Sequence, residues 1–128
     1  MNHVIDASVV LAVMLGEQGA QEAFSHLEGS IISTVNLSEI YRKLIDGEAE
    51  LTDAIIEVGR FQMRAVPFDE AQAREAARLR PLTRHLGLSL ADRACVGLAS
   101  IRNLAVLTAD RRMAESGTVL GLDIRMIR

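Results

Sequence analysis

The apolar positions of this chain come in short blocks whose spacing changes from one block to the next. Val4-Ile5 is an apolar pair ending at Asp6, and Ala7 to Leu15 then runs apolar at all but Ser8, without the alternation of a half-buried strand. This predicts a strand followed by a buried helix. Gly16 and Gly19 break the run, and Gln21 to Leu27 predicts a second helical stretch that ends before Gly29. Ser30 to Ser33 reads as a short strand. From Thr34 onward Val35, Leu37, Ile40, Tyr41, Leu44 and Ile45 fall at helical spacing until Asp46-Gly47 stops them. Leu51 to Met63 repeats that pattern through Leu51, Ile55, Val58 and Gln62, and Arg64 to Pro67 predicts a strand that the proline ends or places at a sheet edge. Asp69-Glu70 offers an acidic first turn to an alanine-rich helix reaching Arg80 and closed by Pro81. Ser89 to Ile101 predicts another helix, with Leu90, Ala94, Leu98 and Ile101 on one side. Ala105 to Thr108 predicts a buried strand ended by Asp110, and a short helix over Arg111 to Glu115 and a strand over Asp123 to Ile127 complete the order. Strands separated by helices, with no repeat or linker, predict a parallel α/β sandwich around a small sheet.

Length changes the picture little: 128 residues, 49% of them apolar, are one domain's worth of chain, residues 1–128, with enough apolar surface for a core without staples. The single Cys95 excludes an internal disulfide framework and a thiolate zinc cluster, and suits a reducing compartment, so the cytoplasm is the expected location. The longest apolar run, Val9 to Leu15, is far too short to span a membrane and lacks the basic flank of a secretory signal. Three Phe, one Tyr and no Trp leave little for a base-stacking platform. The net charge of −3 conceals a bipolar chain: residues 1–57 carry ten acids and two bases, residues 58–128 seven acids and twelve bases. Thirteen of the fourteen bases are Arg, whose flat fork suits phosphate, although charge alone does not establish nucleic-acid binding.

In a parallel sheet chemistry collects where strands end and helices begin. Asp6 and Asp110 follow two predicted strands, Glu39 lies in the first turns of the helix from Thr34, and Asp92 lies in the first turn of the helix from Ser89. The fold alone could bring these four acids to one pocket, across separations of 33, 53 and 18 residues. Each also has a plain structural role open to it. Asp6 and Asp110 stand where helix caps stand, Ser89 to Asp92 has the form of a capping box, and Glu39 precedes Lys43 by four, the favoured order for a surface ion pair. Taken together the acids are harder to explain as caps, because apolar residues flank every one of them and desolvated carboxylates in a cluster repel. A divalent cation would compensate, and oxygen-only ligands select Mg²⁺ or Mn²⁺ over zinc.

Val4-Ile5-Asp6-Ala7-Ser8, Asn36-Leu37-Ser38-Glu39, Gly87 to Cys95 and Leu107-Thr108-Ala109-Asp110-Arg111 together resemble the PIN domain, specifically the VapC-type toxin ribonucleases of toxin–antitoxin operons. The resemblance spans essentially the whole chain and lies in four blocks in this order. It implies a PIN-like three-layer α/β/α sandwich with a small central parallel sheet. It also implies that Asp6, Glu39, Asp92 and Asp110 are the catalytic, metal-binding acids, with Ser8 and Thr108 as supporting hydroxyls. For Ser8 the structural alternative is a local backbone bond, and for Thr108 an ordinary β-branched strand position. Asn36 could reach the site or cap its helix and is read as the cap, Cys95 is read as a small buried hydrophobe, and His3, His26 and His85 as surface or core residues.

The implied activity is a metal-dependent endoribonuclease leaving 5′-phosphate ends, its carboxylates holding one or two Mg²⁺ or Mn²⁺ ions that supply an activated, in-line water and charge stabilisation at the leaving oxygen. Arg93, Arg111 and Arg112, beside the acids, are the expected phosphate contacts, solvated surface being their plain alternative. The implied partners are the RNA substrate, a VapB-like antitoxin and a second copy of the chain in a homodimer, with no membrane. The alternative is a non-catalytic PIN-like module that binds RNA or protein. Two other phosphoryl-transfer folds also place an Asp after the first strand. Haloacid dehalogenase-like phosphatases need a second Asp where Ser8 stands, and receiver domains need a late-strand Lys where the only lysine is Lys43.

Overall fold

The computed structural model describes residues 2–128. Five strands, β1 (Val4–Ile5), β2 (Ile31–Ser33), β3 (Arg64–Val66), β4 (Val106–Thr108) and β5 (Ile124–Met126), form one sheet in the order β3-β2-β1-β4-β5. Every neighbouring pair is parallel, and Val4 of the central strand faces Ile31 on one side and Val106 on the other. The helices are α1 (Ala7–Leu15), α2 (Ala20–Phe24), α3 (Thr34–Asp46), α4 (Leu51–Gly59), α5 (Glu70–Arg78), α6 (Arg80–Thr83), α7 (Leu90–Arg102) and α8 (Arg111–Leu120), with a 3₁₀ turn at Arg84–Leu86.

The three central strands read as apolar pairs because both faces of a parallel sheet are covered. Successive side chains point to opposite faces, so the pairs Val4-Ile5, Ile31-Ile32 and Val106-Leu107 divide between two cores. Val4, Ile31 and Val106 pack with Cys95, Val96, Leu98 and Ala99 of α7 and Met113 of α8. Ile5, Ile32 and Leu107 pack with Val9 and Val10 of α1, Ala23 of α2, Ile40 of α3 and Val58 of α4. The result is the expected three-layer α/β/α sandwich. Its edge strand β3 exposes Arg64 and Ala65 and runs into Pro67, where a missing N–H is harmless.

The second helix, expected over Gln21 to Leu27, spans Ala20–Phe24, and three further boundaries differ from the pattern-based reading. The helix expected over Leu51 to Met63 ends at Gly59, and Gln62 takes a left-handed backbone, φ 58°, that turns the chain into β3. Pro81 does not close the helix before it. α5 has already ended at Arg78, and Pro81 sits in the first turn of α6, where a proline costs no helical hydrogen bond. The short helix expected over Arg111 to Glu115 runs on to Leu120, and within it Gly117 lets α8 lie close to the next segment. A Cβ there would stand 2.9 Å from the Leu122 carbonyl oxygen.

This topology places the ends of β1, β2 and β4, and the helix starts that follow, along the carboxyl edge of the sheet. α7 packs against β1, β2 and β4 and brings its first turn to the same edge.

Candidate active site

Asp6 is the first residue after β1 and is 5% exposed. It occupies the N-cap position of α1 with an extended backbone, yet its side chain makes no capping bond, so the structural alternative for this acid does not hold. Its Oδ2 instead accepts two hydroxyl hydrogen bonds, one from Ser8 and one of 2.8 Å from Thr108. The two hydroxyl oxygens lie 3.3 Å apart. Each hydroxyl in turn accepts a backbone N–H, Ser8 from Ala109 at 2.9 Å and Thr108 from Asp110 at 3.0 Å. A hydroxyl has one hydrogen to give, so the two amides leave both hydrogens free to be donated to the carboxylate. The β4–α8 junction thereby fixes the orientation of the Asp6 carboxylate from 102 residues away in sequence.

Burial pushes the Asp6 carboxyl above the ordinary aspartate range; the two hydroxyls oppose this, and the nearby charges of Asp92 and Asp110 add to it. Those two acids therefore lie close enough to Asp6 for their charges to act on it. Both also carry the caps their sequence suggests. Asp92 closes a full capping box, its Oδ2 accepting from Ser89 N–H at 2.9 Å while Ser89 Oγ accepts from Asp92 N–H at 3.2 Å. Asp110 caps α8, accepting from Arg112 N–H at 2.9 Å, and pairs with the Arg112 guanidinium at 3.2 Å. Arg112 also reaches the Gly87 carbonyl at 3.3 Å, tying the start of α8 to the turn ahead of α7.

Glu39 is placed differently. It lies on α3 and pairs with Arg42 at 3.7 Å, not with Lys43; Arg42 also reaches Asp46 one turn further on. The groove it lines with Thr34, Val35, Ser38 and Arg42 contains none of the other three acids. Among the described residues no three His, Cys, Asp or Glu side chains are arranged to hold one ion. The physical reason is local: Asp92 and Asp110 are turned onto N–H groups at their own helix starts. The donor chemistry nonetheless fits a hard divalent cation, since Asp92 and Asp110 lie near enough to Asp6 for their charges to act on it, Arg112 is paired with Asp110, and Cys95 is buried.

Two further expectations are corrected. Asn36 does not cap α3; Ser33 does, accepting from Val35 N–H at 3.2 Å. Asn36 is buried between helices and donates from Nδ2 to the Ala91 carbonyl at 3.0 Å, joining the helix of Glu39 to the turn of Asp92, while its Oδ1 has no partner among the described residues. Arg93 turns away from the cleft and donates to the Ala76 carbonyl of α5 at 2.9 Å, a backbone bond that leaves its buried Nε unpaired. Arg111 is exposed at the first turn of α8. Cys95 is buried, and burial together with the charges of Asp6 and Asp92 pushes its thiol well up, so it packs as an inert small hydrophobe. His3 is buried at the opposite end of β1, edge-on to His26 with ring centroids 5.4 Å apart. The tie through Asn36 was beyond sequence reading, because an Asn in the first turn of a helix looks like a cap until the neighbouring helix is in place.

The fold is shared with solved toxin–antitoxin assemblies. The chain is similar to a chain of the "Toxin-antitoxin complex from Klebsiella pneumoniae", with a TM-score of 0.76, 13% identity and coverage of 99% of this chain and 98% of that one. It is likewise similar to one in DNA-bound VapBC from Salmonella typhimurium, with a TM-score of 0.74, 18% identity and coverage of 100% and 99%. For VapBC-1 from nontypeable Haemophilus influenzae the TM-score is 0.73, with 13% identity and coverage of 99% and 98%. At these identities the likeness is one of fold. No curated protein matches the sequence significantly. The family model of the PIN domain, however, matches residues 3–117, a span that holds β1 through most of α8 and with them every acid of the cleft, and the chain therefore belongs to the PIN domain family.

Proposed function

We propose that this protein is a metal-dependent endoribonuclease of the VapC type, acting as the toxin of a toxin–antitoxin pair. The observation that carries the reading is Asp6: a buried carboxylate, raised in pKa, held by two hydroxyls and serving no helix cap. Such a group costs stability unless a cation completes it. Asp6, Asp92 and Asp110 would hold Mg²⁺ or Mn²⁺, with Glu39 joining from α3, and the ion would supply an activated water and charge stabilisation at a scissile phosphate. Ser8 and Thr108 fix the plane of the Asp6 carboxylate, and Asn36 ties α3 to the turn of Asp92. Arg111 is the arginine beside the cleft best placed for a phosphate, since Arg93 is turned to α5 and Arg112 is paired with Asp110.

The similar solved chains come from assemblies described as toxin–antitoxin or VapBC complexes, which supports a VapB-like antitoxin as partner here. An apolar groove of about 840 Å³ between α1 and α2, with Val13 and Phe24 in its wall and Glu17 and Glu22 at its rim, offers such a partner a surface. A homodimer and a cytoplasmic site of action complete the proposal; no helix of the described residues is long and apolar enough to cross a membrane. The test is cleavage of RNA by the purified protein with Mn²⁺ and with EDTA, for wild type and Asp6→Asn. Mn²⁺-dependent cutting that leaves 5′-phosphate ends and is lost in the variant is expected. RNA binding without cutting would leave the non-catalytic module as the better account.

A further inference from the structure

We propose that Arg128 is a positioning residue for the acidic cleft, holding the Ala109–Asp110 peptide in the orientation that aims the Thr108 hydroxyl at Asp6; its relevance to catalysis rests on the nuclease reading above. That one peptide group is bonded on both sides. Its N–H belongs to Asp110 and donates to Thr108 Oγ1 at 3.0 Å, and Thr108 Oγ1 donates to Asp6. Its carbonyl belongs to Ala109 and accepts from Arg128 Nη2 at 3.3 Å. A cation on the oxygen polarises the group, so that its N–H becomes a better donor toward Thr108. Arg128 thus stands at the head of a chain of bonds running through the peptide and a hydroxyl to the buried carboxylate.

Arg128 is itself anchored in three ways. Its Nη1 pairs with Glu17 at 3.2 Å, in the turn between α1 and α2, across 111 residues of sequence. The residue before it is fixed to β4, because Ile127 N–H donates to the Thr108 carbonyl at 3.0 Å. Gly19 lies directly against this segment with φ 84°, and a Cβ there would stand 2.1 Å from the Ile127 carbonyl oxygen. Only glycine lets the turn carrying Glu17 approach so closely. The turn after α1 and the segment after β5 are thereby joined across the strand that carries the cleft's third acid. The Arg128 side chain is about one-third exposed.

The experiment compares wild type, Arg128→Ala, Arg128→Lys and Glu17→Gln by amide hydrogen exchange of Asp110 without metal, and by Mn²⁺ affinity from the paramagnetic signal of the free ion. Arg128→Ala is expected to lose protection at Asp110 while the strands of the sheet keep theirs, and to weaken Mn²⁺ binding about 10-fold, the lower end of what ligand-orienting residues contribute. Lysine should restore part of both, and Glu17→Gln, which leaves the guanidinium but releases its anchor, should fall between. Unchanged Asp110 exchange and Mn²⁺ affinity in Arg128→Ala would overturn the proposal. So would a loss of protection spread evenly over the sheet, which would make Arg128 merely a stabilising surface contact. If Arg128→Ala does not fold, Glu17→Gln decides by the same two readouts. Wild type that binds no Mn²⁺, yet loses Asp110 protection on substitution of Arg128, would refute the nuclease reading and leave the positioning role standing.

Discussion

Replacing Asp6 with Asn separates a buried functional carboxylate from a structural one by the sign of a stability change. Asn keeps an oxygen for the Ser8 and Thr108 hydroxyls and removes the charge. Because the carboxyl is raised in spite of those two bonds, the charge is a net cost in the metal-free fold, and every tenfold weakening of the acid corresponds to about 1.4 kcal/mol. The sign follows from linkage. Below the unfolded aspartate value of about 3.9 both states are protonated and the charge costs nothing; as pH rises from there through the higher folded value, wild type loses stability that the variant keeps. In EDTA at neutral pH Asp6→Asn should therefore melt above wild type, and the gap should close on acidification toward pH 4. With Mn²⁺ at 100 times its Kd the wild type should gain about 2.7 kcal/mol. For a chain of this length that is roughly 10 °C in melting temperature. The variant should gain almost nothing. Thermal melts of both proteins, with EDTA and with Mn²⁺, measure all of this. A variant that melts lower than wild type in EDTA at neutral pH, or that gains as much from Mn²⁺, would refute the reasoning.

Asp92→Ala removes the reciprocal bond to Ser89 N–H and should cost about 1 kcal/mol, whereas Asp92→Asn should lose less than half of that in the metal-free protein, both read from denaturant midpoints. Asn36→Ala should cost about 2 to 3 kcal/mol through a lost buried bond and a cavity, but Asn36→Leu, which fills the space and removes the unpaired Oδ1, should cost about 1 kcal/mol or less; equal losses would argue that the bond to Ala91 dominates. Arg112→Ala removes the counter-ion of Asp110, so Mn²⁺ affinity should rise at low salt and the gain should shrink as salt is added; a loss of affinity would place Arg112 in support of the site. Burial, with His26 and Arg125 alongside, lowers the His3 pKa, so stability should be lost as pH falls from about 6.5 toward the lower folded value, a slope that His3→Phe should flatten in pH-dependent melts.

The order of strands and helices was legible because parallel strands buried on both faces leave an apolar pair, and the helices between them leave a 3.6-residue period; Val4-Ile5, Ile31-Ile32 and Val106-Leu107 are such pairs. Helix ends were less legible, since they depend on what lies across the chain. Gly117, two residues past the expected end of the last helix, is required by the approach of Leu122, and Pro81 reads as a stop but begins a new turn. In the cleft the acids Asp6, Asp92 and Asp110 stood out through their places at strand ends and helix starts, while Ser8 and Thr108 stood out only through the resemblance to the PIN domain. Their division of labour did not. Whether an aspartate at a helix start caps or is held elsewhere depends on which donors the tertiary fold brings within 3 Å, and for Asp6 these come from Thr108 and, through Ser8, from Ala109. Arg93 next to Asp92 gave no sequence sign that its guanidinium would be spent on Ala76.

That division of labour explains how a cluster of like charges survives in a fold whose total stability is of order 10 kcal/mol. Asp92 and Asp110 each sit on the positive end of a helix, α7 and α8, and accept backbone N–H groups that would otherwise go unpaired, so their charges are compensated by the same bonds that start those helices. Asp6 stands at the start of α1 but its carboxylate accepts none of that helix's N–H groups, and it lies deepest, its charge helping to keep the buried Cys95 thiol protonated. The electrostatic cost of the cleft is thus concentrated on one carboxylate, placed at the centre of the sheet where the backbone is least able to move. A cation entering the cleft gains most at Asp6, and it can recruit Asp92 and Asp110 only by competing with their caps. The helix starts of α7 and α8 are consequently expected to exchange their amide hydrogens faster when Mn²⁺ binds, while β1 and β4 exchange more slowly. Uniform slowing across all four elements would mean that the caps are not what the cation displaces.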